Sequence, residues 1–310
     1  MKKETDVLSE LLPVVLAIEP CPLREDEWPG EMQPYELPPI PGVTVRQDFA
    51  PRHDGGSVRV LVIAPEQPEG VLPGLLWIHG GGFFCGLPED NALLCAEIAR
   101  AAGCVVIAPD YRLAPRHPYP AGLEDCYDTL LWMAENAGTL GIDGGRIAVA
   151  GQSAGGGLTA ALTLLNRDRK GPKLVFQMPL CPMLDDRNET ASCREISGKT
   201  FPRCWNSDMN AVAWRWYLRE VQGEPPIYAS PARADDLTGL PPAYLLVGDF
   251  DPFRDETIAY AAKLSQAEVP VELHLYPRCF HGFETAPDEI DVSRRAKEEF
   301  LCALRRALAG

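Results

Sequence analysis

The run Ile147-Ala148-Val149-Ala150-Gly151-Gln152-Ser153-Ala154-Gly155-Gly156-Gly157-Leu158-Thr159-Ala160-Ala161-Leu162 joins two kinds of segment through one serine. Ile147–Ala150 is short, continuously apolar and followed by glycine, the pattern of a strand buried on both faces. Ala154–Arg167 reads as a helix. Between them, Gly151-Gln152-Ser153-Ala154-Gly155 fits the G-x-S-x-G turn, in which a strand enters a sharp bend and a helix leaves it. The serine there takes a strained backbone conformation, so its neighbours two positions to either side must be small. It projects at a helix N-terminus, where the dipole favours a developing oxyanion. Ser153 is therefore the candidate nucleophile.

Working outward, short apolar strands alternate with amphipathic helices. Leu75–Ile78, Val105–Ala108, Val175–Met178, Ala243–Val247 and Val271–Tyr276 read as strands. Helices are predicted over Asn91–Ala102, Gly122–Asn136, Asp255–Gln266 and Asp288–Leu308. This alternation specifies a parallel sheet covered on both faces, an α/β fold. Val43–Ala50 and Val58–Ile63, joined by a short turn, predict an antiparallel edge. The rhythm breaks between Pro179 and Ala243, where the chain is rich in Trp and Phe and carries a helix predicted over Ser207–Glu220. An insertion at that edge of the sheet is expected to form a lid. Trp214 and Trp216, two positions apart, point to different sides of that helix, so one is expected on the body and the other is free to line the pocket.

The second motif is His79-Gly80-Gly81-Gly82, directly after the strand Leu75–Ile78. Glycines here let consecutive N–H groups point into the site, the arrangement that partners the serine turn as an oxyanion hole. A phosphate-cradling loop is the competing reading, but no P-loop or dinucleotide fingerprint accompanies the glycines.

Five histidines leave few candidates for a general base. His53 lies in an early turn, His79 opens the glycine loop, His117 sits between prolines and His274 lies inside a strand. His281, just past the last strand, occupies the edge of the sheet where Ser153 emerges. The acid is expected between them in sequence, and Asp249, Asp251 and Asp255 all qualify. Asp251 is favoured because it lies on the loop itself, whereas Asp249 ends a strand and Asp255 starts a helix.

The net charge of −15 argues against nucleic-acid binding. Ten cysteines are scattered without C-x-x-C pairs or zinc spacing, which points to reduced thiols in the cytoplasm rather than disulfides or metal. Asp6, Glu10 and Pro13 interrupt the apolar N-terminus, so a signal peptide is not expected there. Val7, Leu8, Leu11, Leu12, Val15 and Leu16 instead fall at helical spacing on one face. No segment is long and apolar enough to span a membrane.

The chain resembles the hormone-sensitive-lipase-like (bacterial family IV) esterases from about Val43 onward. The resemblance rests on His79–Phe83 (HGGGF), Asp110–Ala121 (DYRLAPRHPYPA), Gly151–Gly157 (GQSAGGG), Leu184–Arg187 (LDDR), Leu240–Glu256 and His281–Phe283 (HGF). It implies an α/β-hydrolase fold, a mostly parallel eight-stranded sheet flanked by helices under a small helical cap. Residues 1–42 would form an N-terminal cap segment and 43–310 the catalytic domain, with a cap insertion at about 184–225. It implies a catalytic triad of Ser153, Asp251 and His281, the aspartate of the D-P-[LF] motif being the acid. The oxyanion donors would be the N–H groups of Gly81, Gly82 and Ala154. Phe83, Phe201, Trp205, Met209 and Trp214 are the expected pocket residues. The implied activity is a carboxylesterase acting on short- to medium-chain acyl esters, without metal or other cofactor, with a homodimer among the possible assemblies. The alternatives are an amidase or peptidase of the same fold, or a non-catalytic ligand receptor, which in this family lacks the histidine present here as His281. One departure stands out: Gln152 precedes the serine where the best-known subgroups carry Asp or Thr.

Overall fold

In the computed structural model, which describes residues 2–309, eight strands form one sheet. They are β1 (Val43–Pro51), β2 (Ser57–Pro65), β3 (Leu72–Ile78), β4 (Val105–Pro109), β5 (Ile142–Gln152), β6 (Leu174–Leu180), β7 (Ala243–Phe250) and β8 (Val271–Phe280). Their order is β1-β2-β4-β3-β5-β6-β7-β8. The β1–β2 and β2–β4 pairs are antiparallel and the remaining five parallel, as the sequence pattern predicts. The helices are α1 (Leu12–Ala17), α2 (Ala92–Ala102), α3 (Ala121–Glu135), α4 (Ala137–Leu140), α5 (Ala154–Asp168), α6 (Ala191–Glu195), α7 (Ser207–Tyr217), α8 (Arg254–Gln266) and α9 (Asp291–Ala309).

Side-chain alternation along the central strands divides the core. Leu75 and Trp77 of β3, with Ala148 and Ala150 of β5, pack with Cys95 and Ala99 of α2 and Phe300 and Leu304 of α9. Leu76, Ile78, Ile147 and Val149 face the other way, against Leu123 and Leu130 of α3 and Leu158 and Leu162 of α5. Both faces of these strands are buried, which is why they carry no polar alternation. In the parallel register Ile78 lies opposite Gly151, so the loops after β3 and β5 emerge side by side.

The N-terminal segment departs from its prediction. A 3-10 turn at Glu4–Asp6 and a bend precede α1, which spans only Leu12–Ala17. Pro13 lacks an N–H and fits only the first turn of a helix, so the helix starts around it. Val7, Leu11 and Val15 are buried, while Leu16 is 53% exposed. The Glu4 N–H donates to the Thr200 carbonyl (3.0 Å) and the Leu8 N–H to the Arg278 carbonyl (3.1 Å). The segment thus joins the insertion and the end of β8.

The expectation for the two tryptophans of α7 is overturned, because both are buried. Trp214 packs on Phe83 (5.3 Å between ring centroids) and Trp216 on Phe84 (5.1 Å). The helix is covered on more than one side. The Trp216 indole N–H donates to the Glu25 carbonyl (3.1 Å), so the N-terminal segment closes over a face that a free lid helix would leave in water. The insertion is also anchored at its start, where Glu256 of α8 accepts the N–H groups of Leu184 (2.7 Å) and Asp185 (3.2 Å).

Leu11 is fully buried in the core cluster shared with Phe280 and Phe283. Leu11→Ala should cost about 2–5 kcal/mol, seen as a lower urea midpoint at unchanged slope. A loss under about 0.5 kcal/mol would mean that the segment is not part of the cooperative core.

Candidate active site

Ser153 sits between β5 and α5 with φ +59° and ψ −120°. A Cβ on Gly155 would lie 2.0 Å from the Ile78 carbonyl oxygen, and one on Gly151 2.5 Å from the Gly155 oxygen. The turn therefore closes only with glycine at both positions. Ser153 donates its N–H to Leu180 (2.9 Å), and its carbonyl accepts from Gly157 (2.9 Å) and Met183 (3.0 Å). Backbone bonds thus hold a conformation that the residue alone would disfavour.

His281 Nε2 lies 2.8 Å from Ser153 Oγ, and His281 Nδ1 lies 2.7 Å from Asp251 Oδ2. Asp251 is fully buried, and its Oδ1 accepts the Phe253 N–H at 2.8 Å. The Phe253 ring stands edge-on to the imidazole at 5.0 Å. Burial alone would lower the His281 pKa. The Asp251 charge and hydrogen bond, with a contribution from Glu284, outweigh it and raise the imidazole above its ordinary value.

The other candidate carboxylates are engaged elsewhere. Asp249 pairs with Lys2 (3.1 Å) and Arg254 (3.4 Å), while Asp255 accepts the Ser192 N–H (2.7 Å). Among the remaining histidines, His53 meets Asp128 and His274 lies between Glu272 and Glu299.

The glycine loop lies directly over the serine. Gly81 has φ +112° and Gly82 φ +57°. A Cβ on Gly81 would fall 1.9 Å from the Cys85 carbonyl oxygen, and one on Gly82 2.6 Å from Trp205. Among the described residues, the N–H groups of Gly81 and Gly82 donate to no backbone carbonyl. That of Ala154, at the first position of α5, has no intrahelical acceptor. His79 holds the loop rather than titrating at neutral pH. Its Nδ1 bonds the Gly80 carbonyl (2.7 Å), and its ring stacks on Tyr111 at 4.3 Å. The Tyr111 hydroxyl donates to the His79 carbonyl at 3.0 Å. Burial lowers the His79 pKa to about 4, so the ring is neutral beside the oxyanion loop.

A cleft of about 470 Å³ opens over Ser153 and His281, walled by Gly80–Gly82, Cys85, Asn91, Gln152, Trp205 and Met32. A larger groove of about 620 Å³ lies between the Pro-rich stretch and β1 and contains no triad member.

The α/β-hydrolase-fold family matches residues 75–285. The chain belongs to that family. It is 38% identical over 250 residues to esterase LipI of Mycobacterium tuberculosis, covering 79% of this chain and 76% of that protein. It is 36% identical over 257 residues to carboxylesterase NlhH of the same organism, covering 81% and 79%. Among solved structures, a bacterial heroin esterase superposes with a TM-score of 0.82 at 44% identity, covering 86% of this chain and 85% of that one. Within the α/β hydrolases, the chain is a hormone-sensitive-lipase-like carboxylic ester hydrolase.

Of the five side chains expected along this hydrolase's pocket, Trp205 alone lines the cleft, its ring 6.3 Å from that of His281. Phe83 is buried and stacks on Tyr217 at 4.0 Å. Phe201 is fully buried against Phe250. Trp214 packs on Phe83, and Met209 is half-buried on α7 away from the cleft. Phe201 and Trp214 share one cause: aromatic residues in an insertion signal burial, and here the burial is the insertion's own attachment to the body, with Phe83 part of the surface it attaches to. Met32, Asn91 and Gln152 were not expected in the cleft. Gln152 lies inside the serine motif, which marks it; Asn91, at the end of the 3-10 turn Pro88–Asn91, lies beyond the glycine motif and carries no such signal. Met32 lies in an irregular stretch with no periodicity to place it.

Folding holds His79 below its ordinary value of 6.5, so the unfolded chain binds a proton that the native state excludes. His79's contribution to stability is therefore complete above pH 6.5 and lost as pH falls toward about 4, reaching about 3 kcal/mol there. In an NMR titration the His79 resonance should stay that of neutral imidazole to about pH 4 while His281 titrates at higher pH. A His79 signal titrating at its ordinary value would contradict the assigned burial.

Proposed function

We propose that the protein hydrolyses short- to medium-chain acyl esters through a Ser153 acyl-enzyme. The observation that carries this reading is the unbroken contact from Asp251 to His281 to Ser153, at 2.7 and 2.8 Å. His281 removes the Ser153 proton as Oγ attacks the ester carbonyl, and Asp251 holds the ring with Nδ1 protonated. The N–H groups of Gly81, Gly82 and Ala154 receive the oxyanion. His281, now protonated, gives its proton to the leaving alcohol. Water repeats the sequence on the acyl-enzyme and frees the acid.

The cleft sets the substrate. At about 470 Å³, with Trp205 across it, it suits a short acyl chain better than a long one. One relative, 34% identical over 240 residues, is an ethyl acetate hydrolase of Pseudomonas putida, an enzyme named for a small ester. Seven of the ten thiols are buried and all are unpaired, which suits a reducing compartment such as the cytoplasm. No helix among the described residues is long and apolar enough to cross a membrane.

Ser153→Ala and His281→Ala should each lower kcat by about 10⁴-fold or more, and the double variant hardly further, because the groups act as a unit. Asp251→Asn should cost about 10⁴-fold through the wrong tautomer, while Asp255→Asn should retain most activity. A folded Ser153→Ala protein keeping several per cent of wild-type activity would refute the nucleophile. On the intact protein, a butyryl ester should turn over faster than a long-chain triglyceride or the corresponding butyryl amide. The reverse order would refute the substrate class.

A further inference from the structure

Behind the His281 loop lies a second carboxylate that the reaction as described does not use. Glu284 is 2% exposed and sits in the short 3-10 turn Phe283–Thr285, three residues past the imidazole. Its Oε1 accepts the Gln152 side-chain N–H at 2.7 Å and the Cys181 thiol at 3.4 Å, while Oε2 has no partner. Gln152 is the residue immediately before the nucleophile, so this bond ties the end of β5 to the histidine loop independently of the triad. The turn is fixed from outside as well, since the Ser293 hydroxyl of α9 donates to the Phe283 carbonyl at 2.8 Å.

Among the described residues, and with Arg295 of α9 paired to Glu299 (3.8 Å), the charged and titratable surroundings leave Glu284 one cation to act on. Cys181 faces it from the end of β6, Asp251 lies past β7, and Tyr244 and Cys279 approach from β7 and β8. None of these carries positive charge. In the cavity on the far side, Lys297 is bound to Glu97 (3.6 Å) and Asp288 (2.5 Å), and Asp90 adds a further negative charge. That leaves the His281 imidazole. Cys181 Sγ, a carboxylate oxygen of Asp251 and a ring nitrogen of His281 all lie within 4.8 Å of one another, which packs the Glu284–Cys181 contact against the triad.

We infer that Glu284, held by Gln152, is a positioning residue: it fixes the His281 loop against the nucleophile strand and favours the imidazolium formed during acyl transfer. The inference rests on His281 being the general base. A buried carboxylate is costly without partners, and Gln152 supplies the shorter of the two side-chain donors that hold it. Burial raises the Glu284 pKa. Its own backbone N–H, the His281 charge and the Cys181 and Gln152 hydrogen bonds oppose that rise without cancelling it. Its charge is therefore present above this raised value and lost below it.

The test is the pH dependence of kcat and kcat/KM on a butyryl ester, with folding followed by thermal melting. The acid limb of kcat/KM reports the general base in the free enzyme. Removing a nearby negative charge lets the imidazole lose its proton more easily. Glu284→Gln should thus move that limb to lower pH by about half a unit. The same half unit lost from the imidazolium corresponds to about a threefold drop in plateau kcat, with KM unchanged. Glu284→Asp, which keeps the charge, should return the limb toward its original position. If Glu284→Gln does not fold, Gln152→Met tests the same idea, since the weakened carboxylate holds its proton to higher pH and shifts the limb in the same direction by less. An unmoved limb in folded Glu284→Gln overturns the inference, as does an Asp variant indistinguishable from the Gln variant. Should Glu284→Gln be unfolded, an unmoved limb in Gln152→Met overturns it equally. Ser153→Ala and His281→Ala are assayed alongside. Activity in either one refutes the base and nucleophile, whereas inactive controls with an unmoved limb refute the role of Glu284 alone.

Discussion

The site depends on one steric constraint, the positive φ of Ser153 at the end of β5. A non-glycine residue held there costs on the order of 1–3 kcal/mol, and surrounding structure has to supply it. Gly155 lets α5 start against the carbonyls of Ile78 and His79, closer than any side chain permits. The same closeness governs the glycine loop, where a Cβ on Gly80 would stand 3.0 Å from the Gln152 carbonyl oxygen. Nucleophile turn and glycine loop therefore touch through backbone alone. Their N–H groups converge because no side chain keeps them apart.

The electrostatic design follows from placing three reactive groups on the ends of three strands in the parallel half of the sheet, β5, β7 and β8. Parallel strands present their C-terminal edges together, so Ser153 after β5, Asp251 after β7 and His281 after β8 meet although far apart in sequence. Two imidazoles sit near the reacting carbonyl, and their surroundings drive them apart. His79 is buried against Tyr111 with no carboxylate partner and stays neutral, while His281 has a carboxylate at 2.7 Å and is readied to accept charge. Of the two, only His281 is set up to change protonation state in the proposed reaction.

How much of this could be read from the sequence depended on whether the physics was local. The β5–α5 turn, the glycine loop and the alternating sheet were legible because steric need and apolar periodicity act within a few residues. The choice among Asp249, Asp251 and Asp255 was not settled locally. All three follow the same strand, and only tertiary partners such as Lys2 and Ser192 show which two are occupied. Phe201 and Trp214 misled for a related reason. Aromaticity says that a residue will be buried, and the ring that covers Trp214 is Phe83, more than a hundred positions away. The predicted N-terminal helix is cut short at Pro13, which lacks an N–H and is tolerated only in a helix's first turn. Gln152 was visible as an oddity, yet its partner Glu284 was hidden in an unremarkable turn.

The attachment of the N-terminal segment also has a consequence for synthesis on the ribosome. Arg278 donates to the Asp6 carbonyl across 272 residues, and Arg203 meets Glu4 across 199. At 5–20 residues per second, roughly 14–54 s separate the appearance of Asp6 from that of its partner. During that interval Phe280 and Phe283, which share the core cluster of Val7, Leu11 and Val15, are still to be made. The segment around Val7 and Leu11 thus completes its docking only after β8 has emerged. The cleft itself waits as long, because His281 in its wall follows Arg278 by three residues.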